Sequence, residues 1–425
     1  MPSAGDTVRM TIAEKILARA SGRKRVSPGE IVEGSIDVAM THDIEGPMVV
    51  EGLRKLGTKK VWDPNKIVIV FDHQVPANSI DAALNHIMLR EFAVEQKIPD
   101  FYDVFEGICH EVLPEKGFAL PGRLIVGTDS HTTTYGAFGC FATGIGSTDM
   151  VAVFTRGKLW FRVPESVRMT IEGRLPKRVM AKDLILKIIG EVGADGETYR
   201  SVEFVGAGMR NIDMAGRMTM CNMGVEMGAK AAIVPPDART TRYLRGRARG
   251  SYKPVYSDRD AAYVEERSFD VKKLEPQVAR PYSVDNVGPV SEVEGIEIDQ
   301  AFLGSCTNGR LEDLTEAAKI VNGKQISKRV RMLVVPASRE IYLKALERGI
   351  LAIFAKAGAL IEAPSCAACM GGHVGILGPG EVCISSSNRN FRGRMGSPKG
   401  KIYLASPTTV AASALKGKIT DPRDI

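Results

Sequence analysis

The sequence predicts a layered α/β fold, and three observations carry that reading. Short β-branched apolar runs recur, as in Lys66 to Phe71 (KIVIVF), Leu124-Ile125-Val126 and Met332-Leu333-Val334-Val335. Helix-like stretches such as Asp81 to Gln96 and Ala181 to Glu191 lie between them, the alternation expected of βα units. The chain has 425 residues, 44% of them hydrophobic, enough for a large interior divided into two to four domains.

In chain order, KIVIVF is followed by the polar turn Asp72-His73-Gln74. That is the pattern of a buried parallel strand delivering side chains at its C-terminal end, so the polar groups there are site candidates. Leu124 to Val126 before Gly127-Thr128-Asp129, and Met332 to Val335 before Pro336, repeat the theme. The glycine-rich run Gly136 to Gly146 lacks the Gly-Lys-Ser/Thr ending of a phosphate loop and the G-x-G-x-x-G spacing, so it reads as tight packing beside Asp129. A charge-rich region from about Arg242 to Pro281 reads as a surface excursion or the edge of a middle domain, and the basic run Arg239 to Arg249 as a solvated face. Joints are placed near Pro164 and Asn286, giving domains at 1–163, 164–286 and 287–425. No fixed-period repeat or low-complexity tract occurs.

Composition narrows the class. There is no uninterrupted apolar run of about 20 residues, the length needed to span a membrane. Met1 to Gly22 carries Asp6 and Glu14 among its basic residues and has no apolar core like that of a secretory signal, so a cytoplasmic location is expected. The formal charge of +7 suits an anionic substrate and equally suits weak nucleic-acid contact. Seven cysteines are too few for a disulfide scaffold.

Their spacing carries the strongest chemical signal. Pro364-Ser-Cys366-Ala-Ala-Cys369-Met-Gly-Gly372 holds a C-x-x-C among small residues, and Gly304-Ser-Cys306-Thr-Asn-Gly309 precedes it. Neighbouring glycines let backbone N–H groups approach thiolate sulfur. A structural zinc site closes with four ligands, and no second C-x-x-C exists. A redox C-x-x-C more often accompanies a βαβ unit at the chain start. Spacing alone favours a metal or cluster over redox or buried structural cysteines, without settling the choice. Cys109, Cys140, Cys221 and Cys383 have apolar or small neighbours and receive no role.

Four motifs together resemble the aconitase superfamily: GTDSHT (Gly127 to Thr132), GSCTNG (Gly304 to Gly309), PSCAACMG (Pro364 to Gly371) and SNRNFRGR (Ser387 to Arg394). FDHQVP (Phe71 to Pro76), HEVLPEKG (His110 to Gly117) and CNMGVEMG (Cys221 to Gly228) extend the match over nearly the whole chain. Length and the segments THDIEGP and FATGIGSTDM resemble the archaeal-type large subunits of the isopropylmalate dehydratases, with homoaconitase large subunits close behind.

The resemblance implies three-layer α/β/α domains packed around one [4Fe-4S] cluster, and a mobile fourth domain supplied by a separate small subunit in a heteromer. It implies a hydro-lyase that moves a hydroxyl between adjacent carbons of a small hydroxy-dicarboxylate or hydroxy-tricarboxylate, in leucine biosynthesis if the substrate is isopropylmalate. It implies that Cys306, Cys366 and Cys369 ligate the cluster, and that Asp72 and His73 form a catalytic pair in which the carboxylate fixes the imidazole tautomer. Without the other motifs, that Asp-His would read as a turn cap. His110 with Glu226 is expected as a second histidine-carboxylate pair, and Asp129 with His131 as a third. Ser130 is expected to hydrogen-bond substrate. Arg389 and Arg394 are the expected carboxylate clamps, because a guanidinium forms paired hydrogen bonds and stays charged. Asn222 and Asn388 are expected beside the cluster, and His42, where aconitases proper carry glutamine, is a candidate substrate contact. An RNA-binding protein built on the same shell, acting through the basic run, is the rival from another class.

Overall fold

A computed structural model describes residues 9–425. Three parallel sheets follow one another along the chain. The first has five strands in the spatial order Asp100–Tyr102, Ile67–Val70, Val38–His42, Leu124–Gly127 and Phe141–Gly144, all parallel. Every residue of Ile67–Val70 is buried, which is why the sequence there is continuously apolar rather than alternating. The second has four parallel strands, Ala231–Ile233, Ser201–Val205, Ser166–Glu172 and Glu265–Asp270. The third has seven, with a parallel core of Lys401–Ala405, Val382–Ser385, Gln300–Leu303, Arg331–Val334 and Leu360–Ile361. Gln277–Ala279 and Val287–Pro289 add an antiparallel edge to it. A two-stranded ribbon, Ile31–Ser35 with Lys158–Arg162, completes the strands.

Helices form where apolar side chains recur at the helical period and a cap opens the run. Ile80–Gln96 begins at Ser79, whose hydroxyl accepts from the Ala82 N–H, and ends at Lys97 in the left-handed region. Ile12–Ala20 carries a capping box between Thr11 and Glu14. The first eight residues of the expected non-secretory N-terminus lie outside the described residues. Among the described residues no helix is long and apolar enough to cross a membrane.

The charge-rich stretch after Arg242 is tied down at several points. Glu265–Asp270 is the edge strand of the second sheet. Asp258 accepts from the Met10 N–H at 2.8 Å and pairs with Lys15 at 2.5 Å, strapping the stretch to the first helix. The basic run departs from a free solvated face: Arg247 pairs with Glu340 at 2.5 Å, and Arg249 with Asp100 at 2.6 Å.

The strand ends position the site. His42 ends a strand of the first sheet and the Asp72-His73 turn and Asp129 follow others, while Gly304 to Gly309 and Ser386 to Arg389 follow strands of the third. Crevices beyond the carboxyl ends of parallel strands are where open α/β folds gather ligands.

Candidate active site

The first sheet contributes a nest of buried histidines and carboxylates. Asp43, directly after the strand Val38–His42, accepts backbone N–H groups from Asp72 at 3.1 Å, His73 at 3.0 Å and Gln74 at 2.7 Å, and so fixes the turn. Burial alone would raise its carboxyl, but His86, His73 and His42 with the Gln74 N–H hold it far below the usual carboxylate range. Asp72 then uses both oxygens, one 2.6 Å from His73 Nδ1 and the other accepting from the Cys109 N–H at 2.7 Å. The opposite ring nitrogen, Nε2, lies 3.6 Å from Asp129. His42 stacks on His73 with ring centroids 4.1 Å apart and pairs through Nε2 with Glu45 at 2.7 Å.

Asp129 is the centre of this nest. It accepts from the His131 N–H at 2.7 Å and meets His110 Nε2 at 2.8 Å. His131 Nε2 instead meets Glu226 at 2.7 Å. The expected pairing of His110 with Glu226 is thus corrected to His110 with Asp129, and the principal carboxylate of His131 is Glu226, although His131 Nδ1 remains 3.4 Å from Asp129. Asp129 caps the 3₁₀ helix Ser130–Phe138 by accepting from the His131 N–H, while Glu226 lies in the separate short helix Met223–Met227 that packs against it. Burial disfavours charge on Asp129, yet His110, His131 and His73 lower it well below normal. Burial keeps His110 low despite Asp129. The Tyr135 hydroxyl lies 3.2 Å from His110 Nδ1 and donates to the Cys109 carbonyl at 3.2 Å.

The third sheet contributes the sulfurs. Cys306, Cys366 and Cys369 are all buried. Asn388 bridges two of them, with Nδ2 3.5 Å from Cys306 Sγ and Oδ1 3.8 Å from Cys369 Sγ. Asn222 donates to Cys306 Sγ at 3.2 Å, and its Oδ1 accepts from Thr307 at 2.8 Å. The Cys366 N–H donates to the Asp72 carbonyl at 2.8 Å, which brings the C-x-x-C loop onto the histidine nest. Arg394 reaches Cys369 Sγ at 3.8 Å, and its Nε is buried without a hydrogen-bond partner among the described residues. Gly371 closes the loop at φ +71°, where an added Cβ would stand 2.7 Å from the Arg394 carbonyl oxygen, so only glycine fits.

The three cysteines are spaced too widely for a single ion. Thiolates on one zinc would lie within about 4 Å of each other, since Zn–S is about 2.3 Å. Among the described residues, the one group of possible ligands lying wholly within 4.8 Å is His42, Asp43, Asp72 and His73, and the cysteines are not in it. Burial, the other two cysteines and Asp129 raise Cys306 well above its ordinary value, and burial pushes Cys366 up to about 12. Thiols held up in this way become thiolates only against bound positive charge, which a coordinating metal group supplies.

The remaining predicted residues lie at the margin. Arg389 Nε pairs with Glu226 at 2.9 Å, so in this structure its guanidinium is engaged by a protein carboxylate. Ser130 lines a neighbouring cleft with Thr128, Thr143 and Lys230. Gly144 packs beside Asp129 as expected, since a Cβ there would come within 2.8 Å of the Asp129 carbonyl. Sequence reading missed Asp43, although it sits in the quoted segment THDIEGP and follows a strand end as Asp72 does. It also missed Arg310, which donates to the Cys306 and Thr307 carbonyls at 2.6 and 2.8 Å and pairs with Glu111 at 2.8 Å.

Strand ends of parallel sheets bring buried thiols and histidine-carboxylate pairs together, and the family model for aconitase (aconitate hydratase), a hydro-lyase, matches residues 14–417. The chain belongs to the aconitase family. It is 58% identical over 413 residues to the probable 3-isopropylmalate dehydratase large subunit of Methanothermobacter thermautotrophicus, covering 97% of this chain and 99% of that one. The 3-isopropylmalate dehydratase large subunit 1 of Methanopyrus kandleri is 57% identical, with the same coverage. A probable methanogen homoaconitase large subunit, also of M. thermautotrophicus, is 54% identical over 420 residues, 98% of each chain.

Proposed function

We propose that this chain is the cluster-bearing large subunit of a dehydratase that interconverts 2-isopropylmalate and 3-isopropylmalate, in leucine biosynthesis, by removing and re-adding water. The observation that carries the reading is that the loop of buried Cys366 and Cys369 is joined to the Asp72–His73 pair by the Cys366 N–H on the Asp72 carbonyl at 2.8 Å, while Asn388 links Cys369 to buried Cys306. A bound [4Fe-4S] cluster held by these three cysteines would supply a Lewis-acidic iron for the substrate hydroxyl.

The protein groups supply binding and proton transfer. Burial works against charge on His73, but Cys366 as a thiolate, Asp72 and Asp129 raise it well above its ordinary value. With Nδ1 held by Asp72, the mobile proton sits on Nε2, the nitrogen that faces Asp129. His73 is therefore the proposed acid for the departing hydroxyl, and stacked His42 keeps its ring from turning. Asp129, kept anionic by its histidines, is the proposed proton relay with His110, while Glu226 and His131 form a second one. Arg394 is the proposed carboxylate clamp, and Arg389 joins it when a substrate carboxylate displaces Glu226 from its Nε. Ser130 is proposed to reach substrate from the adjoining cleft, and Asn222 and Asn388 to hold the sulfurs.

The relatives are named large subunits, which supports a small subunit as partner; the proposed division of this chain is 1–163, 164–286 and 287–425, one parallel sheet apiece, with Gln277–Ala279 reaching forward into the third. Homoaconitase is the second reading, favoured by the 54% identity to a relative of that name. The RNA-binding rival loses support because Arg247 and Arg249 are committed to Glu340 and Asp100. The test is anaerobic cluster reconstitution, co-purification with a candidate small subunit, and parallel assays on isopropylmalate, homocitrate and citrate. Absorbance of an alkene intermediate with isopropylmalate is expected; a blank there with turnover of homocitrate would overturn the assignment in favour of homoaconitase.

A further inference from the structure

We propose that Lys182 is a positioning residue of this site: a buried amine that clamps the loop carrying Asn388 and Arg389 to the loop carrying Cys306. The proposal rests on the cluster reading above. Lys182 lies in the helix Ala181–Val192 and is fully buried, with 0% exposure. A lysine is almost never found in that condition without partners, because desolvating an ammonium is costly. Its Nζ donates to the Ser386 carbonyl at 2.8 Å, the Ser387 carbonyl at 2.5 Å and Asn308 Oδ1 at 3.5 Å.

All three acceptors belong to the third sheet's strand-end loops, none to the helix that carries the lysine. The neighbouring carboxylate does not neutralise it. Asp183 instead accepts from the Met180 N–H at 2.7 Å and the Gln277 N–H at 2.9 Å. Asp313 is reached only through Asn308, whose Nδ2 donates to it at 3.0 Å. A leucine or methionine would fill much the same volume but leave the buried Ser386 and Ser387 carbonyls without this donor, so the amine is there for the carbonyls it holds.

What those carbonyls fix is the direction of the next two side chains. With Ser386 and Ser387 pinned, Asn388 falls on Thr307 at 2.9 Å and on Cys306 Sγ at 3.5 Å, and Arg389 falls on Glu226 at 2.9 Å. On the other loop, Asn308 lies two residues after Cys306 and also donates to Thr219 at 3.3 Å. One amine thus sets the register between a sulfur ligand and the groups that surround it, the role that outer-layer partners play at metal sites.

The experiment compares the anaerobically reconstituted chain with Lys182→Met, Lys182→Arg and Lys182→Ala. Three readouts are taken: iron release to a chelator, amide hydrogen exchange, and KM with kcat in the complex with its small subunit. Lys182→Met is expected to release iron on the order of tenfold faster or more, with exchange rising in residues 386–394 while the helix 181–192 stays protected. KM is expected to rise, and ethylamine to slow iron release in Lys182→Ala. Wild-type iron retention and unchanged exchange at 386–394 in Lys182→Met would overturn the clamp, as would exchange rising uniformly over the second sheet. Should Lys182→Met not fold, absence of rescue by ethylamine in Lys182→Ala overturns it. Failure of the unaltered chain to take up iron would count against the cluster reading instead, and the exchange pattern would still judge the clamp.

Discussion

His110 and Asp129 are hydrogen-bonded through Nε2 and Oδ1 at 2.8 Å, inside a nest where Asp129 also meets His131 and His73. One carboxylate serving three imidazoles makes this residue the point through which their protonation is coupled. Asp129→Asn keeps the shape and removes the charge. Turnover is expected to fall on the order of 100-fold to 10,000-fold, the range for losing a positioned acid-base group, with cluster absorbance unchanged. Steady-state kinetics beside the visible spectrum check both parts, and bleaching of the spectrum would show that Asp129 holds the site rather than moves protons.

Cys366→Ser is expected to bleach the cluster absorbance and lower iron content, because the Cys366 N–H on Asp72 leaves the backbone in place while the thiolate is lost. Prolonged aerobic handling of the unaltered protein should abolish turnover while far-ultraviolet circular dichroism stays constant. An iron without a protein thiolate is held least firmly. Full activity after exposure would sink the three-cysteine assignment.

Arg310 and Glu111 form an ion pair at 2.8 Å with exposures of only 3% and 4%. Removing one partner strands the other charge in the interior, which costs about 3–5 kcal/mol. Arg310→Met should lower the unfolding free energy by that order, read from chemical denaturation, and adding Glu111→Gln should recover part of the loss. Equal stability of the single and double variants would mean that the pair is uncoupled. The Cys306 carbonyl also loses Arg310 as donor in Arg310→Met, while the Thr307 carbonyl keeps Thr219, so iron retention should weaken in both variants.

Glu115 is pushed up to about 8 by burial and by the neighbouring Glu111 carboxylate, while it accepts from Ser338 Oγ at 2.7 Å. Its folded form holds a proton that the unfolded chain releases near its ordinary value of about 4.3. Between those two values the native state binds more protons than the unfolded one, so this residue's contribution to stability falls as pH rises, and levels off above about 8. Glu115→Gln keeps the oxygen that accepts from Ser338 and does not titrate. Its stability relative to the unaltered chain is expected to improve between pH 5 and pH 8, measured by chemical denaturation at each pH. A constant difference would contradict the protonated carboxyl.

Much of the site was legible because its chemistry is written in contiguous motifs. Cys306, Cys366, Cys369, Asp72 and Asp129 all sit at turns that follow short apolar strands or among glycines, and local composition marks such turns. Asp43 was legible in principle, since it too follows a strand end, yet its value comes from N–H groups 29 to 31 residues away. Lys182 gave no signal at all. In the sequence it is a lysine in an amphipathic helix, where a solvated side chain is the ordinary expectation, and only the packing of that helix against another sheet's loops makes it buried.

The sequence by itself determined the α/β class, the order of strands and helices, and which residue types could hold a cluster and move protons. Those properties follow from side-chain period, turn chemistry and motif spacing, all short-range. The tertiary structure decided which partners meet: Asp129 rather than Glu226 for His110, Asn388 between Cys306 and Cys369, and Glu226 on Nε of Arg389. Hydrogen bonds reach only about 3 Å, so the pairing of groups 19 to 163 residues apart depends on how loops and sheets pack, and no local pattern encodes that distance.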